Sequence, residues 1–215
     1  MHDIDDRFDR VRLLFPDHLG LARGKYLPAR IAGRGTGHCA TIWGLGYDRS
    51  MVPAPGSYLL DGLVDVIATP DHETVRSSWE DDATAIAIAD VALDGKPFPY
   101  AARHVLQRAI AAWDELGYRP QVGIELEAYV LEPDPESPRG WRRLQNPRAM
   151  VYGTGIGNDP GGVIDDVMST ARRTGFRVES INAEFDESQY ELTLEYDDAL
   201  PAADDAFLFL SLIHI

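Results

Sequence analysis

The glutamates are the residues of this sequence whose types and spacing could do chemistry. QVGIELEAYVLEP (121–133) carries Glu125 and Glu127 two positions apart, and VESINAEFDESQYELTLEY (178–196) carries Glu179, Glu184, Gln189 and Glu191. Read as a strand, the first segment sends Val122, Ile124, Leu126, Ala128 and Val130 to one face and Glu125, Glu127 and Tyr129 to the other. In the last segment Tyr190, Leu192, Leu194 and Tyr196 share a face opposite Gln189, Glu191, Thr193 and Glu195. Two carboxylates about 6.6 Å apart on one strand face repel each other. The repulsion is roughly 2–3 kcal/mol at an effective dielectric near 20 and far less in open water. Hard divalent cations such as Mg²⁺ or Mn²⁺ take oxygen ligands, and carboxylates from separate strands supply them at fixed spacing. A half-buried antiparallel sheet with a solvated acidic face has the same pattern. The pattern alone leaves both readings open.

The elements that must position these groups follow from periodicity. Residues 11–29 read as two strands around a turn at Asp17–Gly20, and residues 30–60 as Gly- and Pro-rich loops with a short strand. DGLVDVIATPD and DATAIAIADVAL are strand candidates. The second is apolar on both faces (Thr84, Ile86, Ile88 against Ala83, Ala85, Ala87, Ala89), so both faces should be covered. From Pro99 the period changes. AARHVLQRAIAAWDELGY sets Val105, Leu106, Ala109, Ile110, Trp113 and Leu116 on one helical stripe that stops at Gly117. A polar loop (132–148), GTGIGNDPGG, a helix closed by Gly175 and two more strands complete the chain. The expected architecture is α+β, with a boundary at about Pro99.

Composition bounds the function. Of 215 residues 35 are acidic and 20 basic, a formal charge of −15, which argues against nucleic acid and anionic membranes as partners. The single cysteine, Cys39, rules out an internal disulfide framework. MHDIDDRFDR lacks the apolar stretch of a leader, and AFLFL is too short to span a bilayer, so a cytoplasmic location is expected. The last six residues, LSLIHI, are the translation of CTGTCTCTTATACACATC, which resembles the end of a transposon adapter used for sequencing libraries. Residues 210–215 are therefore expected to be a non-native tail, with the natural chain continuing differently beyond about Phe209.

GIELEAYVLE and VESINAEFDESQYEL together resemble the glutamine synthetase family. Its catalytic half has an E-x-E strand and then an E-x₄-E-x₆-E series with a Gln two before the last Glu; here the series is Glu179, Glu184, Gln189, Glu191. FPDHLGLARGKYLP resembles the family's D-x-x-G-x-x-R-G-K strand pair, and ATPD and the PYAARHVLQRAI helix follow in the family's order. The resemblance is to the divergent members, some of which act on amines other than ammonia. It implies a β-grasp domain over 1–98 and, over 99–209, a truncated catalytic α/β domain whose antiparallel sheet carries the metal carboxylates. Carried over by position, Glu127, Glu184 and Glu191 would hold one divalent metal. Glu125 would help hold the second, Glu179 would contact the nucleotide, and Tyr196 would pack near the adenine. The implied chemistry moves the γ-phosphoryl of ATP to the side-chain carboxylate of glutamate, after which an amine displaces phosphate from γ-glutamyl phosphate. A homo-oligomeric ring is implied as well.

The departures from the family pattern matter. Asn182 and Ala183 stand where histidines are usual, Asp186-Glu187-Ser188 replaces a Gly-rich turn, and Tyr47-Asp48-Arg49-Ser50 is a remnant of the Asp-Gly-Ser-Ser segment that handles ammonium. They put ammonia in doubt as the amine. They also leave room for a non-catalytic homologue that keeps the acidic sheet as a cation-binding or assembly module. A guanidino kinase or glutamate–cysteine ligase fits less well. Later parts of the family's site lie beyond residue 215, so this chain alone is expected not to turn over. Among the decoys, GTGIGNDPGG lacks the Lys-Ser/Thr of a phosphate loop. Arg23-Gly24-Lys25 reads as a solvated strand edge, Cys39 as structural and His104 as a surface or packed histidine.

Overall fold

The structure is a computed structural model that describes residues 4, 7–52 and 55–213. The front of the chain forms a mixed sheet from β1 (Arg10–Pro16), β2 (Ala22–Pro28), β3 (Thr36–Cys39), β4 (Asp65–Pro70), β5 (Arg76–Ser77), β6 (Thr84–Leu93) and β7 (Lys96–Pro97). Its strand order is β2-β1-β6-β4-β3, with β5 and β7 also paired to β6. β1 and β6 run parallel and every other pairing is antiparallel. The short helix α1 (Ala29–Ala32) and a 3₁₀ turn over Ala40–Gly44 occupy the stretch expected to be mainly loop.

The D-x-x-G-x-x-R-G-K stretch builds the β1–β2 hairpin. Asp17, fully buried, accepts from the backbone N–H of Leu19 at 2.8 Å and of Leu21 at 3.0 Å, and from Arg23 Nε at 2.7 Å. Arg23 is thus paired rather than solvated. Gly24 is required because a Cβ there would sit 1.9 Å from the Leu13 carbonyl oxygen.

β6 is buried on both faces, as its composition predicts. Ala85, Ala87, Ala89 and Val91 pack with Val11, Leu13, Phe15, Trp43, Val66 and Phe98 in a first core. Ile86 and Ile88 turn the other way, joining Leu14 and Trp79 in a second core that also contains Phe176, Tyr190, Leu192, Leu194, Leu208 and Phe209. Residues on both sides of Pro99 therefore share one apolar interior.

The rest of the chain comprises α2 (Ala102–Glu115), β8 (Gln121–Tyr129), β9 (Leu131–Pro133), β10 (Trp141–Arg143), α3 (Val163–Arg173), β11 (Val178–Ala183), β12 (Gln189–Asp198) and α4 (Ala199–Ile213). β11, β12 and β8 form an antiparallel sheet in that order, and β9 and β10 form a small hairpin inside the expected loop. α4 has no counterpart in the sequence reading. Its buried residues Ala202, Ala206, Leu208, Phe209 and Leu212 cover a broad arc of the helix, and Leu200, Ala203 and Phe207 outside that arc are half-buried. It runs without a break through residues 210–213; His214 and Ile215 of the expected tail lie outside the described residues.

The apolar stripe of α2 is a correction. Val105 and Trp113 are each 50% exposed and Leu116 is 69% exposed, whereas the helix's buried residue is Arg103. The helix is turned by an ion cluster. Arg103 donates to Asp204 of α4 (3.0–3.2 Å), to Asp71 after β4 (2.6 Å) and to Asp90 of β6. Burial alone would loosen the Arg103 proton, but the three carboxylates outweigh it and hold the guanidinium charged. Burial, reinforced by the neighbouring Asp71 and Asp90 charges, pushes the Asp204 carboxyl up despite the pairing. A second pair, Arg76 to Asp205, ties α4 to β5 beside it.

Candidate functional site

Register on the small sheet decides which glutamates meet. Glu127 of β8 lies directly opposite Glu191 of β12, Glu125 opposite Thr193, and Tyr129 opposite Gln189. On the other side of β12, Asn182 lies opposite Glu191 and Ser180 opposite Thr193. The strict alternation of β8, exposed at Glu125, Glu127 and Tyr129 and half-buried at Leu126 and Ala128, puts these groups on the face away from the second core. Glu184, just past β11, joins through Asn182, whose Nδ2 donates to Glu184 Oε1 at 3.1 Å.

Two β-bulges bring in the other two candidates. Between Val178 and Ser180 the register of β11 slips by one residue, and Glu179 is the inserted one. By alternation Glu179 would share the core side with Ile181 and Ala183; with the bulge, Glu179 and Ser180 are both exposed. On β12, Glu195 and Tyr196 together oppose Gly123 of β8. Tyr196 is 69% exposed, which corrects the reading that it shares a face with Tyr190, Leu192 and Leu194. A Cβ at Gly123 would meet that of Tyr196 at 3.8 Å, an ordinary contact, so the bulge rather than the glycine sets its direction. In both places the extra residue re-aims a side chain onto the carboxylate face.

Glu125, Glu127, Glu184 and Glu191 therefore line one face, flanked by Glu179 and Tyr196. Their carboxylates do not share a centre: among the described residues no three His, Cys, Asp or Glu side chains come close enough to hold a metal ion. Gln189 Nε2 holds Glu127 Oε2 at 2.6 Å, Asn182 holds Glu184, and Thr193 Oγ1 lies 3.4 Å from Glu191 Oε1. Like charges directly opposite on neighbouring strands repel. Among the described residues no Lys, Arg or His forms a salt bridge with any of the five glutamates. The donor set is all oxygen, the chemistry of Mg²⁺ or Mn²⁺.

One end of this face is closed by residues that the sequence reading missed. The Arg143 guanidinium stacks 3.8 Å from the centre of the Tyr129 ring and donates to Asp186 Oδ2 at 2.7 Å; Tyr129 Oη donates to the same oxygen at 3.2 Å. Arg143 holds the Asp186 carboxyl below the usual carboxylate range. The signal was the departure from the family's Gly-rich turn at Asp186-Glu187-Ser188, read there only as a loss. Ser188 occupies left-handed backbone (φ 59°), a conformation that costs a non-glycine about 1–2 kcal/mol. Its carbonyl accepts from Val130 N at 2.9 Å and its hydroxyl donates to the Leu144 carbonyl, which fixes the conformation.

The Gly-rich loop before α3 is not a phosphate cradle. Asp159 accepts from the N–H groups of Val163 (2.9 Å) and Ile164 (2.8 Å), so the chain's own carboxylate occupies the helix start. A cleft of about 470 Å³ opens on the opposite, apolar face of the small sheet, between Val130, Trp141, Val167 and Tyr190, and none of the five glutamates lines it.

Comparison with known proteins agrees with the order of these elements. The family described as glutamine synthetase, catalytic domain, matches residues 99–215. The chain belongs to the glutamine synthetase family. It is similar to a gamma-glutamylethanolamide synthetase of Streptomyces coelicolor, 32% identical over 210 residues that cover 91% of this chain and 45% of that one. It is also similar to a glutamate–isopropylamine ligase of a Pseudomonas species, 31% identical over 151 residues, covering 67% and 33% respectively. Among solved structures, the GmaS/ADP complex superposes with a TM-score of 0.78 at 23% identity, covering 96% of this chain and 46% of that one, which shows the shared fold. The chain thus spans less than half the length of these relatives. The names of these two relatives describe glutamate–amine ligases.

Proposed function

We propose that the whole protein joins an amine to the γ-carboxylate of glutamate, using ATP and two divalent ions through γ-glutamyl phosphate. One observation carries the reading. The register that faces Glu127 with Glu191 also puts Glu125 and Glu184 on the same sheet face, and among the described residues none of them is in a salt bridge. In this reading Glu127, Glu184 and Glu191 hold one Mg²⁺ or Mn²⁺ and Glu125 helps hold the other. When bound, the ions screen phosphate charge. Glu179 and Tyr196, both turned to this face by bulges, meet the nucleotide. Gln189 and Asn182 fix the carboxylates of Glu127 and Glu184 by hydrogen bonds.

Some relatives are named for organic amines, among them ethanolamide and isopropylamine, and others as glutamine synthetases; on the departures at Asn182 and at Asp186 to Ser188 the amine is read as an organic one. The front sheet, with its parallel central pair β1/β6, is read as a β-grasp unit, and the whole protein as a cytoplasmic homo-oligomeric ring. The 215-residue chain alone is expected to release no phosphate from ATP and glutamate. The direct test is a Mn²⁺ titration of the chain and of Glu127→Ala. Tighter binding by the unaltered chain is expected, and equal binding by both would remove Glu127 from the site.

A further inference from the structure

A chain of hydrogen bonds leads from Arg143 to Glu127. Arg143 Nη1 donates to Asp186 Oδ2 (2.7 Å), the backbone N–H of Asp186 donates to Gln189 Oε1 (3.2 Å), and Gln189 Nε2 donates to Glu127 Oε2 (2.6 Å). The middle step sets the polarity. An N–H can only donate, so the Asp186 amide claims the carbonyl end of Gln189 and leaves its NH₂ aimed at the carboxylate. A second set of bonds keeps the turn in place. The backbone N–H of Asn146 donates to Glu187 Oε1, and Ser188 Oγ donates to the Leu144 carbonyl. All three residues of the turn are thus gripped by the 143–146 segment through side chains that glycine does not have.

We infer that the 143–146 segment and the 186–188 turn form a clasp that presets the Glu127 carboxylate, with Gln189 and Arg143 as positioning residues. The inference rests on the proposed role of Glu127 as an ion ligand and deepens it. An exposed glutamate samples several rotamers, and anchoring one oxygen before the ion arrives lowers the ordering cost of binding. Groups that orient a ligand in this way typically change metal affinity about 10–100-fold when removed.

The test uses the 215-residue chain with Mn²⁺ alone, followed by electron paramagnetic resonance, alongside thermal melts. Gln189→Met keeps the length and removes the donor; it should bind Mn²⁺ about tenfold more weakly with little change in melting temperature. Arg143→Ala should weaken binding in the unaltered chain and add nothing in the Gln189→Met background, because both act through one relay. If Glu127→Ala loses Mn²⁺ while Gln189→Met and Arg143→Ala keep the original affinity, the clasp is overturned and the ion site stands. Full additivity of the two changes also overturns the relay. If the unaltered chain binds no better than Glu127→Ala, the ion site falls and the clasp's role with it.

Discussion

Replacing Arg103 by methionine probes what holds the front sheet to the helices behind it. The Arg103 side chain is 5% exposed, and its partners differ: the Asp204 side chain is 11% exposed, Asp71 25% and Asp90 52%. Removing the cation strands chiefly Asp204, since water reaches Asp90 and partly reaches Asp71. Loss of one partner from a buried pair costs about 3–5 kcal/mol, and the half-wet neighbours place Arg103→Met near the lower end. Methionine keeps most of the aliphatic stem, so little of the loss is packing. Adding Asp204→Leu removes the stranded charge and should recover about 1–2 kcal/mol, because apolar replacements of a whole buried pair are often neutral. Acid should help the single variant. Asp204 already has a raised pKa in the fold, from burial first. It therefore binds its proton at a pH where the unfolded chain has lost it, and stability from this group rises as pH falls toward the ordinary carboxylate value. Urea melts followed by circular dichroism at pH 7 and pH 5 read both effects. A loss below about 1 kcal/mol, or a double variant no more stable than the single one, would refute the stranded-charge account.

Other changes test other parts of the fold. His38 sits below its usual value of 6.5, from burial first and then the Lys25 charge. The unfolded imidazole then takes up a proton before the folded one, so stability should fall as pH drops through and below 6.5, and His38→Phe should flatten that slope in melts between pH 7 and 5. Glu191→Gln removes one of two charges facing each other across β8 and β12 and should stabilise the metal-free chain by about 0.2–1 kcal/mol. Under the proposed function the same variant should lose stabilisation by Mn²⁺, and an unchanged Mn²⁺-induced melting shift would count against that role. Gly24→Ala drives a Cβ to 1.9 Å from the Leu13 carbonyl and should cost about 3 kcal/mol or prevent folding, read by urea midpoint or soluble yield.

Much of this was legible from residue order alone, for identifiable reasons. β8 alternates without interruption, so the faces of Glu125 and Glu127 were readable, and β6 is apolar on both sides because both are covered. Glu179 and Tyr196 were different. Each lies at a bulge, where one inserted residue breaks the two-residue period, and only the partner strand reveals the insertion. The α2 stripe misled because three acids distant in sequence, Asp71, Asp90 and Asp204, settle which side of the helix turns inward. α4 carries apolar residues all round and offers no period to detect.

The two-faced burial of β6 bears on how this lineage can be recombined. A crossover at Pro99 looks natural on paper, yet Leu14, Trp79, Ile86 and Ile88 would arrive facing a foreign Phe176, Leu208 and Phe209. A transplanted front half must therefore bring those three contacts with it, or be re-matched to them. Exchange between relatives should succeed only when both sides of that seam travel together.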